Sequence, residues 1–234
     1  MGGGKRPSWR DIHFHSPASP IDHGVGEQLK VSSPVFVHVV DDDNAVRQSL
    51  GDLLRSMDYQ VMLHGSASEF LNAQLPDAPA CLVLDVRMPG TGGLELQEYL
   101  TRINVPMPVI LITGFGDIPM SVRGMKAGAI DFLTKPIRHQ DLIDAVATAV
   151  RIDRDRRQSL AQITRLRERY ALLTPRERQV MVLVASGFMN KQVAGELSIS
   201  EVTVKMHRGS VMRKMGAKSV ASLARMAEAL NIET

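Results

Sequence analysis

The 234-residue sequence has one cysteine, Cys81, so no disulfide can form within the chain, and a reducing compartment is expected. No apolar run approaches the roughly 20 residues that a membrane-spanning helix needs. Lys5-Arg6 is followed by polar residues where a signal peptide would carry its apolar core. These absences predict a soluble, cytoplasmic protein without a membrane partner. Residues 1–34 lack apolar periodicity and hold Gly2-Gly3-Gly4, Pro7, Pro17, Pro20, Gly24 and Gly26, the pattern of a disordered tail. The irregular spacing of His13, His15 and His23, with no cysteine nearby, favours a solvated tail over a metal site. Between Arg138 and Thr174 there is neither glycine nor proline, and helix formers dominate, so a long helix is predicted.

The length allows two modest domains, each with its own core. Charge divides the same way. From Val35 to Arg138 eight Lys and Arg stand against twelve Asp and Glu, whereas from Ala171 to Thr234 nine stand against five. An acidic domain favours a cation-dependent site and a small basic one favours a polyanion such as nucleic acid.

In the acidic half, apolar strands run into acids. Val35 to Val40 is dense in β-branched residues and ends at Asp41-Asp42-Asp43; Leu82-Val83-Leu84 ends at Asp85, with Pro89-Gly90 as the turn. Val46, Leu50, Leu53, Leu54 and Met57 recur at helical spacing. Gln60 to His64 reads as a second strand, and Ser68 as the cap of a helix carrying Phe70 and Leu71. Leu94 to Leu100 reads as helix, Val109 to Thr113 as strand, Met120 to Ala127 as a short helix and Ile130 to Leu133 as the fifth strand, closing on Lys135-Pro136. Strand and helix in alternation predict an α/β doubly wound parallel sheet. Ligands of such sheets bind at the carboxyl ends of the strands. There Asp41, Asp42, Asp85, Thr113 and Lys135 would meet. Carboxylates sharing one mouth repel unless a cation separates them, and hard oxygen ligands suit Mg²⁺. A carboxylate beside an ammonium and a hydroxyl is a receptor for phosphoryl oxygens, with Asp85 as the acceptor.

Val35 to about Arg151 resembles a response-regulator receiver domain, whose fold is flavodoxin-like with strand order 2-1-3-4-5. The resemblance carries the family's acid pair onto Asp41 and Asp42, its phosphoacceptor onto Asp85, its switch hydroxyl onto Thr113 and its lysine onto Lys135. It further implies that the backbone carbonyl of Arg87 completes the Mg²⁺ shell, that Lys135-Pro136 is cis, and that Phe132 is a switch aromatic. Core packing is the competing reading for Phe132. Asp43 would be a neighbour of the site, not a ligand. Gly114 to Val122 and Met125 to Ala129 are similar to the FixJ-type branch. The rival class is a phosphatase of the haloacid-dehalogenase kind, which wants a second Asp two residues after the nucleophile, where this sequence has Arg87. A second rival is a DNA-binding protein whose receiver only dimerises.

Within the long helix, Leu142, Val146, Ala149 and Val150 form one stripe; Leu160, Ile163, Leu166, Tyr170 and Leu173 continue a short seam, open to a dimeric coiled coil as well as to packing within the chain. Thr174-Pro175-Arg176-Glu177 is a helix start. Val180 to Ala185 fills a buried face, Gly187 stops it, Lys191 to Leu197 is a second helix, and Ser200 caps a third from Glu201 to Met215. That punctuation is helix-turn-helix. Val204, Val211 and Met215 fall on its inner side, while Val202, Lys205, Met206, Gly209 and Arg213 fall outward, able to enter a major groove. Gly209 marks either close backbone approach to DNA or simple tolerance. Ser219 to Leu230 adds a last amphipathic helix.

Leu173 to Ile232 is similar to the LuxR/NarL-type DNA-binding domain, through Leu173 to Glu177 and Thr203 to Arg208. The resemblance implies contacts to DNA from Thr203, Lys205 and Met206, with dimerisation through the last helix. It departs at Gly209, where NarL presents a lysine. Arg208 and His207 lie nearer the buried side, and a pairing of Arg208 with Glu177 is expected. The divisions predicted are a tail at 1–34, a receiver at 35–151, a linker helix at 152–170 and a four-helix DNA-binding domain at 171–234. The function expected is a transcription regulator, not an enzyme beyond self-phosphorylation and autodephosphorylation. A sensor histidine kinase would phosphorylate it, and it would dimerise on double-stranded promoter DNA and engage RNA polymerase.

Overall fold

The computed structural model describes residues 34–114 and 118–232. The predicted tail and its histidines, Pro34 excepted, lie outside the described residues, as does Phe115 to Asp117. The chain divides into two compact units between Arg154 and Asp155.

The first unit alternates β1 (Phe36–Val40), α1 (Asn44–Arg55), β2 (Gln60–His64), α2 (Ala67–Asn72), β3 (Ala80–Asp85), α3 (Gly93–Arg102), β4 (Val109–Thr113), α4 (Ile118–Lys126) and β5 (Asp131–Thr134), then enters α5 (His139–Ala171). All neighbouring strands pair in parallel, in the order β2-β1-β3-β4-β5. This is the doubly wound parallel sheet that the alternation predicted, in the flavodoxin-like order that the resemblance to receiver domains implied. β3 and β4 are buried at every position, which explains why they read as continuous apolar runs instead of alternating. One face packs Val37, Val39 and Val83 against Leu50 and Leu54 of α1 and Leu142 and Val146 of α5. The other packs Leu82, Leu84 and Leu111 against Phe70 of α2 and Leu94, Leu96 and Leu100 of α3. Each such side chain contributes about 1.5–3 kcal/mol by leaving water.

Two local expectations need correction. Ser68 is not the cap of α2: Ser66 is, in an extended conformation, with its hydroxyl accepting from the Glu69 N–H at 3.1 Å while Glu69 Oε2 accepts from the Gly65 N–H at 2.6 Å. A serine followed three residues later by glutamate is a helix-start signal, and Ser66 fits that spacing where Ser68 does not, with Glu69 bonding the N–H of Gly65 in place of that of Ser66. The fifth strand begins at Asp131 and not Ile130, because Gly128 turns at φ +91° and Ile130 donates to the Val109 carbonyl as the chain enters the sheet.

The second unit holds α6 (Pro175–Ala185), α7 (Asn190–Leu197), α8 (Glu201–Met215) and α9 (Val220–Ala229). Its core joins Val180, Met181, Val193, Val204, Val211, Met215 and Leu223. At the start of α6 the Thr174 N–H donates to Glu177 Oε2 and the Glu177 N–H donates to Thr174 Oγ1. Ser198 at φ +52° closes α7, and Ser200 caps α8 by accepting from the Thr203 N–H at 3.1 Å. The turn between the two helices is therefore short and left-handed at its first residue, as helix-turn-helix geometry needs. Among the described residues no helix is long and apolar enough to cross a membrane.

Candidate functional site

Strand polarity puts three carboxylates at one mouth of the sheet. Asp41 follows β1 and Asp85 ends β3, and because β1 and β3 are paired in parallel their carboxyl ends coincide. A carboxylate oxygen from each of Asp41, Asp42 and Asp85 lies within 4.8 Å of the others. Asp41 and Asp85 are buried and Asp42 is exposed. Lys135, just past β5, reaches between the two buried acids: its Nζ donates to Asp41 Oδ2 at 2.8 Å and to Asp85 Oδ2 at 2.6 Å. Lys135 is pinned in turn by its own N–H, which donates to the Thr113 carbonyl at 2.7 Å. The Lys135-Pro136 bond is cis.

Burial pushes the Asp41 carboxyl above the usual range, reinforced by the Asp85 charge and opposed by the hydrogen bonds from Lys135 and the Asp43 N–H. Burial works against the charge on Lys135, but hydrogen bonds to Asp41 and Asp85 and their charges outweigh it, so its pKa is raised. Three acids around one ammonium leave an excess of negative charge in a half-buried pocket. A hard divalent cation on the carboxylate oxygens would offset that excess, so the donor set fits Mg²⁺ held by Asp41, Asp42 and Asp85.

Of the remaining residues of the predicted site, Thr113 and Arg87 fall at the same edge and Phe132 lies further back in the sheet. Thr113 ends β4 with its hydroxyl buried and without a hydrogen-bond partner among the described residues. A buried hydroxyl in that state costs about 1–3 kcal/mol unless something else satisfies it. Phe132 is half-buried in β5, opposite Leu111, and packs on the α3–α4 face of the sheet. Arg87 donates its N–H to Asp85 Oδ1 at 3.1 Å, so its backbone turns at the mouth. Asp43 is a cap and not part of the cluster: its Oδ1 accepts from Ala45 and Val46 N–H at the start of α1.

Two contributors were not foreseen. Arg47 of α1 donates to the Asp41 carbonyl and steadies the turn that carries the acids. Gly93 opens α3 so close to β3 that a Cβ there would lie 2.1 Å from the Asp85 carbonyl oxygen. Pro89-Gly90 was legible as a turn, but the closeness of Gly93 to Asp85 is a tertiary fact with no signature in spacing.

In the second unit, Val204, Val211 and Met215 of α8 are buried, and Val202, Lys205, Met206, Gly209 and Arg213 are exposed, as the helical spacing predicted; Thr203 is half-buried. The expected Arg208–Glu177 pair does not form. Arg208 donates to Asn190 Oδ1 at 2.8 Å, while Glu177 takes Lys214 Nζ at 2.7 Å and Ser210 at 2.5 Å. Lys214 lies on the α8 face that meets the start of α6, and Arg208 lies one step round toward α7. The Glu177 carboxyl is held down to about 2, chiefly by Lys214, then by Ser210 and the Thr174 N–H.

Comparison with known proteins agrees with both halves. Residues 37–147 match the response regulator receiver domain family, and residues 171–227 match the luxR family of bacterial regulatory proteins. Nodulation protein W of Bradyrhizobium diazoefficiens is 51% identical over 209 residues, covering 89% of this chain and 92% of the relative. The transcriptional regulatory protein FixJ of Azorhizobium caulinodans is 44% identical over 191 residues, covering 82% and 90%. The solved structure of the response regulator StyR superposes with a TM-score of 0.76 at 48% identity, covering 83% of this chain and 98% of that one. The chain thus belongs to the two-component response regulators of the FixJ-like branch, transcription regulators that join a receiver domain to a luxR-type helix-turn-helix DNA-binding domain.

Proposed function

We propose that a sensor histidine kinase in the cytoplasm phosphorylates Asp85, and that the phosphorylated chain dimerises, binds promoter DNA and activates transcription with RNA polymerase. The observation that carries this reading is the Lys135 ammonium held at 2.8 and 2.6 Å from the Asp41 and Asp85 carboxylates at the sheet mouth. In the transfer, an Asp85 oxygen attacks phosphorus, the bond from phosphorus to the donor imidazole breaks, and that imidazole leaves with its electron pair. Mg²⁺ on Asp41, Asp42, Asp85 and the Arg87 carbonyl would neutralise charge on the carboxylates and the incoming phosphoryl oxygens. Lys135 is placed to pair with a phosphoryl oxygen. The unpartnered Thr113 hydroxyl can donate to another.

A phosphoryl group adds about 1.5–2 negative charges in this half-buried pocket, enough to bias an existing equilibrium between two arrangements. Thr113 and Phe132, at the ends of β4 and in β5, would carry the change to α4. Exposed Val122 and Met125 on α4 support a dimer face there. We assign the receiver to 35–151, the linker to 152–170 and the DNA-binding domain to 171–234, where Val202, Thr203, Lys205, Met206, Gly209 and Arg213 would meet DNA. Two recognition helices on a dimer engage two half-sites together.

The test is DNA binding and sedimentation of the full chain with Mg²⁺, with and without acetyl phosphate. The donor should raise both dimer fraction and promoter affinity at least tenfold, and Asp85→Asn should respond to neither. An Asp85→Asn chain that dimerises and binds like the parent upon donor addition would overturn the proposal.

A further inference from the structure

The outward face of α8 has an unusual chemistry for a polar ligand. Val202 is 71% exposed and Met206 is 69% exposed, so two large apolar side chains stand in water one helical turn apart. Gly209 follows three residues after Met206, and Arg213 four after that, so all four share one stripe of the helix. A Cβ at Gly209 would meet nothing within 4 Å, so packing inside the protein does not require glycine there. Glycine inside a helix costs up to about 1 kcal/mol relative to alanine. A costly residue and two exposed apolar ones on the same stripe point outward, to what the stripe touches.

The surroundings say what that is. Lys205 sits between Val202 and Met206 and is exposed, Arg213 ends the stripe, and the segment from Ala171 onward carries more Lys and Arg than Asp and Glu. The occupant must be a polyanion that also offers apolar groups at the floor of a groove wide enough for a helix. The major groove of duplex DNA does so at one base only, thymine, through its 5-methyl group. Val202 and Met206 are about 6 Å apart along the helix axis, on the order of two base-pair steps at about 3.4 Å each.

We infer that this chain reads its half-site chiefly by apolar contact, with Val202 and Met206 each seated on a thymine methyl about two base steps apart. The bare backbone at Gly209 lets the helix settle into the groove, and Lys205 and Arg213 supply charge. The inference rests on the DNA-binding reading above and adds the chemistry of base selection.

The test starts by selecting duplexes from a randomised library with the full chain in Mg²⁺ and acetyl phosphate. The selected duplex is then remade with deoxyuridine in place of single thymidines, which removes a methyl and changes no hydrogen bond. Each of two positions per half-site should lose about fourfold in affinity, the value of one buried methyl. Val202→Ala should abolish the thymine-over-uracil preference at one of them and Met206→Ala at the other; both changes are on the surface, so folding is not at stake. Equal binding of thymidine and deoxyuridine duplexes, a selected site without thymine, or undiminished preference in both variants would overturn the inference while leaving DNA binding intact. Selection of no duplex at any salt concentration would overturn the DNA-binding reading and the inference with it.

Discussion

Gly93→Ala is a one-methyl change with a large expected effect, because the methyl has nowhere to go. Its carbon would lie 2.1 Å from the Asp85 carbonyl oxygen, 2.9 Å from its carbonyl carbon and 3.0 Å from Val86 Cα. All three neighbours are backbone, so no rotamer change relieves the clash. Reaching ordinary contact needs a displacement of more than about 1 Å, shared between the start of α3 and the end of β3. β3 resists: the Val86 N–H is bonded to the Ile112 carbonyl at 2.8 Å, and the Asp85 carboxylate is held by Lys135. Overpacking of this kind costs about 1–3 kcal/mol, and a reacting group misplaced by about 1 Å can lose on the order of 100-fold in rate. The assay is the initial rate of labelling by radioactive acetyl phosphate in Mg²⁺, alongside the calorimetric transition of the full chain. Both should fall in Gly93→Ala. Gly90→Ala is the control: Gly90 has φ +82° but nothing within 4 Å of its missing Cβ, so that variant should lose about 1–2 kcal/mol through strain and keep its labelling rate. A Gly93→Ala chain with native rate and native transition would refute the argument from close approach.

Three further outcomes follow from named contacts. Glu177 is held well below its unfolded value, at about 2, chiefly by Lys214, so its contribution is fully present above about pH 4.5 and drains away as the pH falls toward 2. Glu177→Gln should therefore lose about 1–2 kcal/mol at pH 7, after allowing for screening beside a partly exposed lysine, and the gap measured by urea unfolding should close near pH 2; a gap that persists there contradicts the assignment. Lys205→Ala should weaken promoter binding and lower the salt slope by about one unit, as read by titration at several ionic strengths; an unchanged slope would turn α8 away from the groove. Gly209→Ala should raise thermal stability by up to about 1 kcal/mol, since its Cβ enters open space; a destabilised variant would mean that packing needs the glycine.

The fold was legible because its signals were local. Apolar strands that end in acids, and helices with one apolar stripe, are each decided within a dozen residues. Strand order and the meeting of Asp41, Asp85 and Lys135 rest on the handed winding of alternating strands and helices and on the likeness to known receivers, not on periodicity. What escaped the sequence was pairing at long range. Glu177 was expected to meet Arg208 because Arg208 lies toward the buried side of α8, but Lys214 sits on the face that reaches Glu177. Asp153 of α5 is buried, and its Oδ2 accepts from the Ala80 N–H at the start of β3, a contact between residues 73 apart. His38 and His64 share a hydrogen bond of 3.1 Å inside the sheet, stacked beside Phe70. Burial and the neighbouring His64 push the His38 imidazole down to about 4, so it behaves as a core side chain near neutral pH. Polar residues at apolar strand positions were the available sign of that pair; which polar group answered which was not.

The central claim is that Asp85 is the residue that accepts the phosphoryl group. The direct measurement is peptide mass spectrometry after acetyl phosphate treatment in Mg²⁺ and trapping of the acyl phosphate with borohydride, which reduces the modified aspartate to homoserine. Homoserine at position 85, absent when Mg²⁺ is chelated, is the expected result. Homoserine at Asp41, Asp42 or elsewhere with Asp85 intact, or no trapped product from a folded chain supplied with Mg²⁺, would contradict the account.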